Sequence, residues 1–307
     1  MQDAIGEYRG ALNMSRILIL DAPSVLGLKP TGVEKLPEAL KAAGLLEALN
    51  AQYLGRIQPL FSYSSERDSS TKLLNGKAIR AFSLQLAESL KVVVRERNRF
   101  IIVLGGDCSI IIGTLLALRR LGRYGLFFID GHADFYQPEA SVNGEVADMD
   151  LAIVSGRGPD ILTNIDGLKP LVRDEDIVLF GYRDAEQSAS YGSQDVIDTK
   201  MDVYDLSRVK ELGITNASSL AIRKLLGNGI DGFWIHLDAD VLDDSIMPAV
   251  DYRLQEGLSF SELSELLRNL YSSGYAVGMS ITIFNPNLDS DGSIARKFVS
   301  SIVKGLL

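Results

Sequence analysis

Two short stretches carry acids at a spacing that chemistry can use. "DGHAD" supplies Asp130, His132 and Asp134, and "HLDADVLDD" supplies Asp238 and Asp240, followed by Asp243 and Asp244. Each follows or continues an apolar run, "YGLFFI" and "GFWI". In an extended chain residues i and i+2 point to one face, so Asp130 projects with His132 and Asp238 with Asp240. Asp134 can join the first pair from the following loop. Four carboxylates meeting at one place repel one another, and they must either take up protons or hold cations. An oxygen-rich cluster with an imidazole suits a divalent ion, Mn²⁺ or Mg²⁺ ahead of Zn²⁺. Five ligands exceed what one ion needs if carboxylates bridge, so two ions about 3.5–4 Å apart could share them and activate a water between them. A single Asp ending a strand is ordinarily a turn residue or a helix cap. Two such motifs, each ending an apolar run, point instead to a metal site. His236 lies two residues before Asp238, on the same strand face but deeper, and fits a satisfied core histidine as well as a functional one.

The elements that must position these residues are legible from hydrophobic pattern. Apolar runs recur at 16–21, 99–106, 124–132, 176–183, 232–240 and 276–284. They are apolar at consecutive positions, as strands buried on both faces are. Helical spacing with few breakers fills 32–49 and 76–97, and 259–274 opens with Ser259 and Glu262 at the spacing of a capping box. Strands alternating with helices imply an α/β fold, a parallel sheet with helices on both faces, and ligands beyond the strands' carboxyl ends. Polar, turn-rich segments near 55–75, 135–165 and 184–200 read as loops. One domain over 16–307 is expected, after an N-terminal extension at 1–15; Met14 stands just before the first strand and is an alternative start.

Composition excludes several classes. The chain has 307 residues, 46% hydrophobic, and its apolar runs are too short to span a bilayer. The first residues show no basic start followed by a long apolar stretch, so no secretory signal is expected. A single cysteine cannot form an internal disulfide, which fits a reducing cytoplasm. A net charge of −9 argues against nucleic-acid or anionic-membrane partners and permits cationic substrates.

The one cysteine, Cys108, lies in "GGDCS" (105–109). "GGDCS", "DGHAD" and "HLDADVLDD", in this order, resemble the three metal-binding signatures of the ureohydrolase family, which includes arginase, agmatinase and formimidoylglutamase. The usual forms are GGDH-S, D-x-H-x-D and S-x-D-x-D-x-x-D-P. "GVEKLPEALKAAGLLEAL", "PAVDYRLQEGLSFSEL" and "FNPNLD" resemble further stretches of the family, and the similarity covers most of 16–305. The resemblance implies a three-layer α/β/α fold with an eight-stranded parallel sheet and a small-molecule substrate. Two Mn²⁺ ions and assembly as a homo-trimer or homo-hexamer are also implied. It assigns Asp130, His132, Asp134, Asp238 and Asp240 as metal ligands, with Asp130 and Asp238 bridging, and Asp134 as the catalytic group that orients the attacking water. Cys108 stands where the family usually has its first histidine ligand. A thiolate can bind a metal, but as a softer donor it favours Zn²⁺ or Fe²⁺ there. A small group of hydroxyarginine-directed amidinohydrolases shares the cysteine.

Other positions depart from arginases. The acid that would hold a guanidinium is replaced by Ile283, with Thr282 beside it. No histidine follows "DGHAD" in the loop where arginases place a proton shuttle. A guanidinium buried without a carboxylate partner binds poorly, so Asp251, along the expected pocket rim, or Asp289 is the acid expected to face a cationic substrate. Asp244 replaces the family's proline. The function expected is a cytoplasmic, metal-dependent hydrolase of C–N bonds in linear amidines, with L-arginine a poor substrate. A non-catalytic metal-binding homologue is one alternative. A single-zinc deacylase on the same general fold is another, although it would use adjacent histidines and none occur here.

Overall fold

A computed structural model describes residues 16–91, 94 and 98–307. The extension at 1–15, with its alternative start, and most of the end of the helix expected to reach 97 lie outside the described residues. Eight strands form one sheet: β1 (Ile17–Ala22), β2 (Gln52–Arg56), β3 (Phe100–Gly105), β4 (Tyr124–Ile129), β5 (Ile177–Phe180), β6 (Asp202–Tyr204), β7 (Gly232–Asp238) and β8 (Ala276–Thr282). Their order is β2-β1-β3-β8-β7-β4-β5-β6, and every pair is parallel. This is the eight-stranded three-layer α/β fold that the sequence led us to expect.

Alternation along the strands builds two cores. On β3, Phe100, Ile102 and Leu104 face one layer and Ile101 and Val103 the other. The first layer contains Leu36 and Leu40 of the helix Leu36–Ala42, Leu263 and Leu266 of Phe260–Ser272, and Phe298 and Ile302 of Ser293–Leu306. The second contains Ile79, Phe82 and Leu86 of Gly76–Leu90, and Ile111 and Leu115 of Ile110–Arg119. Each of these side chains is almost fully buried, a contribution of about 1.5–3 kcal/mol apiece relative to exposure. A Cβ on Gly113 would lie 2.9 Å from the carbonyl oxygen of Ser83, so only glycine lets those last two helices pack this closely.

Two expectations need correction. The helix expected over 32–49 is broken: a 3-10 turn at Val33–Lys35 leads into Leu36–Ala42, and a separate turn covers Leu45–Ala48. Gly44 between them has φ 92°, a left-handed conformation that ends a helix and that glycine adopts without strain. The segments read as loops also hold short helices, Asp150–Val154, Asp160–Thr163 and Ala185–Ser190. The capping box at Ser259 and Glu262 is present. No helix among the described residues is long and apolar enough to cross a membrane.

The strand order sets up the site. β3 and β4 follow each other in sequence but are separated in the sheet by β8 and β7. Their carboxyl ends therefore open onto a crevice at a switch point, the place where open α/β sheets bind ligands.

Candidate metal centre

Register brings the two acid motifs together. Ile129 on β4 pairs with Leu237 on β7, so the next residues, Asp130 and Asp238, leave adjacent strands side by side. Carboxylate oxygens of Asp130, Asp238 and Asp240 lie within 4.8 Å of one another, as do ligand atoms of Asp130, His132 and Asp134. Asp238 ends its strand by accepting from the backbone N–H of Asp240 at 2.7 Å, which starts a 3-10 turn and swings Asp240 back to the site. Asp240 accepts from the Gly131 N–H at 3.0 Å and holds His132 Nδ1 at 2.8 Å. Asp130 accepts from the His132 N–H at 2.7 Å. Asp134 has φ 44°, a left-handed backbone that turns its carboxylate toward the cluster. Asp acts there at modest cost because it tolerates this region better than most residues.

Cys108 arrives from the third direction. The loop after β3 passes so close to the loop after β1 that a Cβ on Gly106 would sit 1.8 Å from the Ser24 carbonyl oxygen. Cys108 Sγ lies 2.9 Å from Asp238 Oδ2 and 3.1 Å from Thr282 Oγ1, fully buried. Sequence reasoning missed Asp150. It opens the helix Asp150–Val154, and neither of its carboxylate oxygens has a hydrogen-bond partner although both are buried. Its ligand atom falls within 4.8 Å of those of Cys108 and Asp134. A lone acid in a loop carries no spacing signal that could have found it.

Electrostatics describe a site short of positive charge. Burial, then neighbouring carboxylates, push Asp130, Asp134, Asp150 and Asp238 well above the usual carboxylate range. Burial opposes the charge on His132, but Asp240 outweighs it and raises the imidazole to about 9. Asp240 also resists burial and is lowered by His132 and Arg183. Burial, reinforced by Asp238 and the other acids, raises the Cys108 thiol. A dication would reverse these shifts, since it favours carboxylate and thiolate alike. The donor set fits one: hard oxygens, an imidazole, a sulfur at one edge, and orphaned oxygens on Asp130 and Asp150.

A cavity opens over the cluster, lined by His132, Asp134, Asp238 and Asp240 at its floor and by Glu145, Asp148 and Ile283 on its walls. Ile283 is 5% exposed, so the wall where arginases would offer an acid is apolar. Asp251 is not brought to this cavity. Its carboxylate accepts from Thr31 Oγ1 and, at 2.8 Å, from Asn285 Nδ2, so it fastens two loops instead. Asp289 caps the last helix through the N–H of Ala295 at 2.8 Å. The acids that do face the cavity are Glu145, held by Tyr252 at 2.7 Å, and Asp148, whose Oδ1 is buried and unpartnered. Asp244 pairs with Arg253 and leaves the site free.

Comparison with known proteins gives a consistent picture. A family model described as Arginase, the arginase family, matches residues 15–307. An arginase of Staphylococcus aureus is 30% identical over 291 residues, covering 92% of this chain and 94% of that protein. An arginase of Bacillus caldovelox is 32% identical over 294 residues, covering 94% of this chain and 96% of that one. The crystal structure of native Bacillus caldovelox arginase superposes with a TM-score of 0.83 at 30% identity, over 95% of this chain and 98% of that one.

Proposed function

The chain belongs to the arginase family, and on that premise we propose that it is a metal-dependent hydrolase of C–N bonds in linear amidines, guanidino or formimino compounds. The observation that carries this reading is the convergence of Asp130 and Asp238 on adjacent strands, with Asp130 Oδ2 buried and unpartnered next to a cavity that Asp238 lines. Asp130 and Asp238 would bridge two divalent ions. His132 and Asp240 would complete one position, and Cys108 and Asp134 the other. Mn²⁺ is the ion we favour for the oxygen-rich position. When bound, such ions supply Lewis acidity and lower the pKa of a water, making it nucleophilic near neutral pH.

The chain's own groups do the rest. His132 turns Nδ1 into the cluster, 2.8 Å from Asp240 Oδ2 and 3.9 Å from Asp130 Oδ1, so Asp240 sets the orientation of the ring. Asp134 orients the attacking water and carries its proton toward the leaving amine. Ile283 excludes water from one wall. Glu145 offers negative charge to a cationic tail, and such a cation would favour the charged form of Asp148, which burial raises to about 7; this is the role first expected of Asp251. With no acid at position 283, L-arginine is expected to be a poor substrate. We further propose that the protein works in the cytoplasm as a homo-oligomer, a trimer or hexamer.

Turnover on a panel of guanidino and formimino compounds, with Mn²⁺ added and with an Asp238→Ala control, tests the reading. Hydrolysis of at least one compound by the wild type alone is expected. Metal uptake without turnover on any of them would favour the non-catalytic homologue, a reading supported by Ile283 and by the missing loop histidine.

A further inference from the structure

Cys108 removes an imidazole from one edge of the site, and the structure holds another beside it. Cys108 Sγ, a carboxylate oxygen of Asp130 and an imidazole nitrogen of His236 lie within 4.8 Å of one another. His236 is on β7, one pleat deeper than Asp238 and fully buried. Its ring is clamped. It stacks on Phe128 of β4 at 4.6 Å between centroids and 17° between planes. Nδ1 lies 2.8 Å from Ser280 Oγ on β8, the same oxygen that accepts from Trp234 Nε1 at 3.2 Å.

The other nitrogen is the informative one. Nε2 has Thr282 Oγ1 at 3.5 Å, the outer limit of a hydrogen bond, and that hydroxyl has its own acceptor in the Leu237 carbonyl at 3.3 Å. A serine oxygen has two lone pairs, so Ser280 can accept from both Trp234 and His236 Nδ1–H. That tautomer leaves the Nε2 lone pair unused on the side of Thr282 Oγ1, the hydroxyl that also lies 3.1 Å from Cys108 Sγ. An oxygen holding the far N–H of the ring is the arrangement metal-ligating histidines require. Asp130, which among the described residues joins Cys108 and His236, His132 and Asp134, and Asp238 and Asp240, keeps Oδ2 buried without a partner.

We propose that His236 Nε2 is a metal ligand, so that the ion nearest Cys108 is held by Cys108 Sγ, His236 Nε2 and the carboxylates of Asp130, Asp134 and Asp238. In the motif forms given above, position 108 belongs to histidine and position 236 to serine. The two departures together therefore move one imidazole from the loop after β3 to strand β7. One sulfur, one nitrogen and carboxylate oxygens suit a softer ion such as Zn²⁺ or Fe²⁺, which takes four or five ligands, beside an oxygen-rich position that suits Mn²⁺. The inference rests on the binuclear reading and deepens it by making the two positions chemically unlike.

The chain has two histidines, which makes a direct test possible. The metal-free full chain is loaded with ¹¹³Cd²⁺, and ¹H–¹¹³Cd correlation spectra are recorded, with His132→Gln assigning the two rings. Scalar coupling from cadmium to both imidazoles is expected. Coupling at His132 alone overturns the inference and leaves the metal-site reading intact. Coupling at neither ring overturns both. As a second measurement, His236→Gln should lower bound cadmium from two equivalents to one with an unchanged far-UV spectrum. A folded His236→Gln protein that still binds two equivalents overturns the proposal.

Discussion

Cys108 and His236 turn their reactive atoms toward one another from different elements, so substitutions at the two positions should not be additive. Cys108→His alone places a second imidazole in a filled corner, an overpacking that costs about 1–3 kcal/mol. The pair Cys108→His with His236→Ser makes room for it and should bind Mn²⁺ more tightly than the wild type, because imidazole suits Mn²⁺ better than thiolate does. Calorimetric titration of the two variants and the wild type checks this; equal Mn²⁺ affinities in all three would mean that neither side chain is a ligand. Ile283 is a second decisive residue. It is β-branched yet has φ 70°, a conformation costing about 1–3 kcal/mol, and its N–H is held by the Gly106 carbonyl at 2.8 Å. Ile283→Glu should relax that strain in part and add an acid to the cavity wall, strengthening L-arginine binding by about tenfold or more. Isothermal titration with L-arginine decides it, and tight binding already in the wild type would contradict the reading. Asp148 gives a pH signature. Burial, against a hydrogen bond from Ser141, raises it from 3.8 to about 7. A folded pKa above the unfolded one means that the stability contribution is complete below pH 4 and is lost as pH rises through 7. The metal-free wild type should therefore lose stability across that window relative to Asp148→Asn, and parallel melting curves for the two proteins would refute the assignment.

At the level of elements, legibility followed burial. The six apolar runs found in the sequence are β1, β3, β4, β5, β7 and β8, most of them buried along their whole length. β2 and β6 were not legible as runs. β2 is an edge strand of exposed and half-buried residues, and β6 is three residues long, so neither leaves a periodic signal. The helix break at Gly44 was missed because a single glycine in a helical pattern is tolerated as often as it terminates. The spacing of Asp130, His132, Asp238 and Asp240 was legible because each pair ends an apolar run, although turns after β4 and β7, not strand alternation, bring His132 and Asp240 back to the site. Asp148 and Asp150 were not, because what buries them is a loop whose path depends on distant partners. The place of Asp251 depends likewise on Thr31 and Asn285, 220 and 34 residues away. The capping box is a local device that could be read outright. Ser259→Ala removes the acceptor for the Glu262 N–H and should cost about 1 kcal/mol, seen as a lower urea midpoint with an unchanged slope.

For the molecule as a whole, the cluster of buried acids predicts a stability that depends on metal. Carboxylates that share a site without a cation oppose folding, and an ion that binds only the folded state stabilises it by about 2.7 kcal/mol at a hundred times its dissociation constant. Added Mn²⁺ or Zn²⁺ should raise the melting temperature of the wild type. The Asp238→Ala protein should show little of that rise, and an equal rise in both would place the ion elsewhere. The sheet order has one more consequence, for how the chain comes to be folded. β1, β2 and β3 make one half of the sheet and β4, β5 and β6 the other, and the strands that join them, β8 and β7, are the last to be made. Until residues beyond Gly232 leave the ribosome, β3 and β4 each present an unpaired apolar edge, the kind that pairs wrongly with neighbouring chains. Long-range parallel pairing is also slow to form. The final quarter of the polypeptide therefore acts as a keystone. It closes two sticky edges at once, and in the same step it carries Asp238 and His236 to meet Asp130 and Cys108, so the acid cluster cannot exist before the sheet is whole.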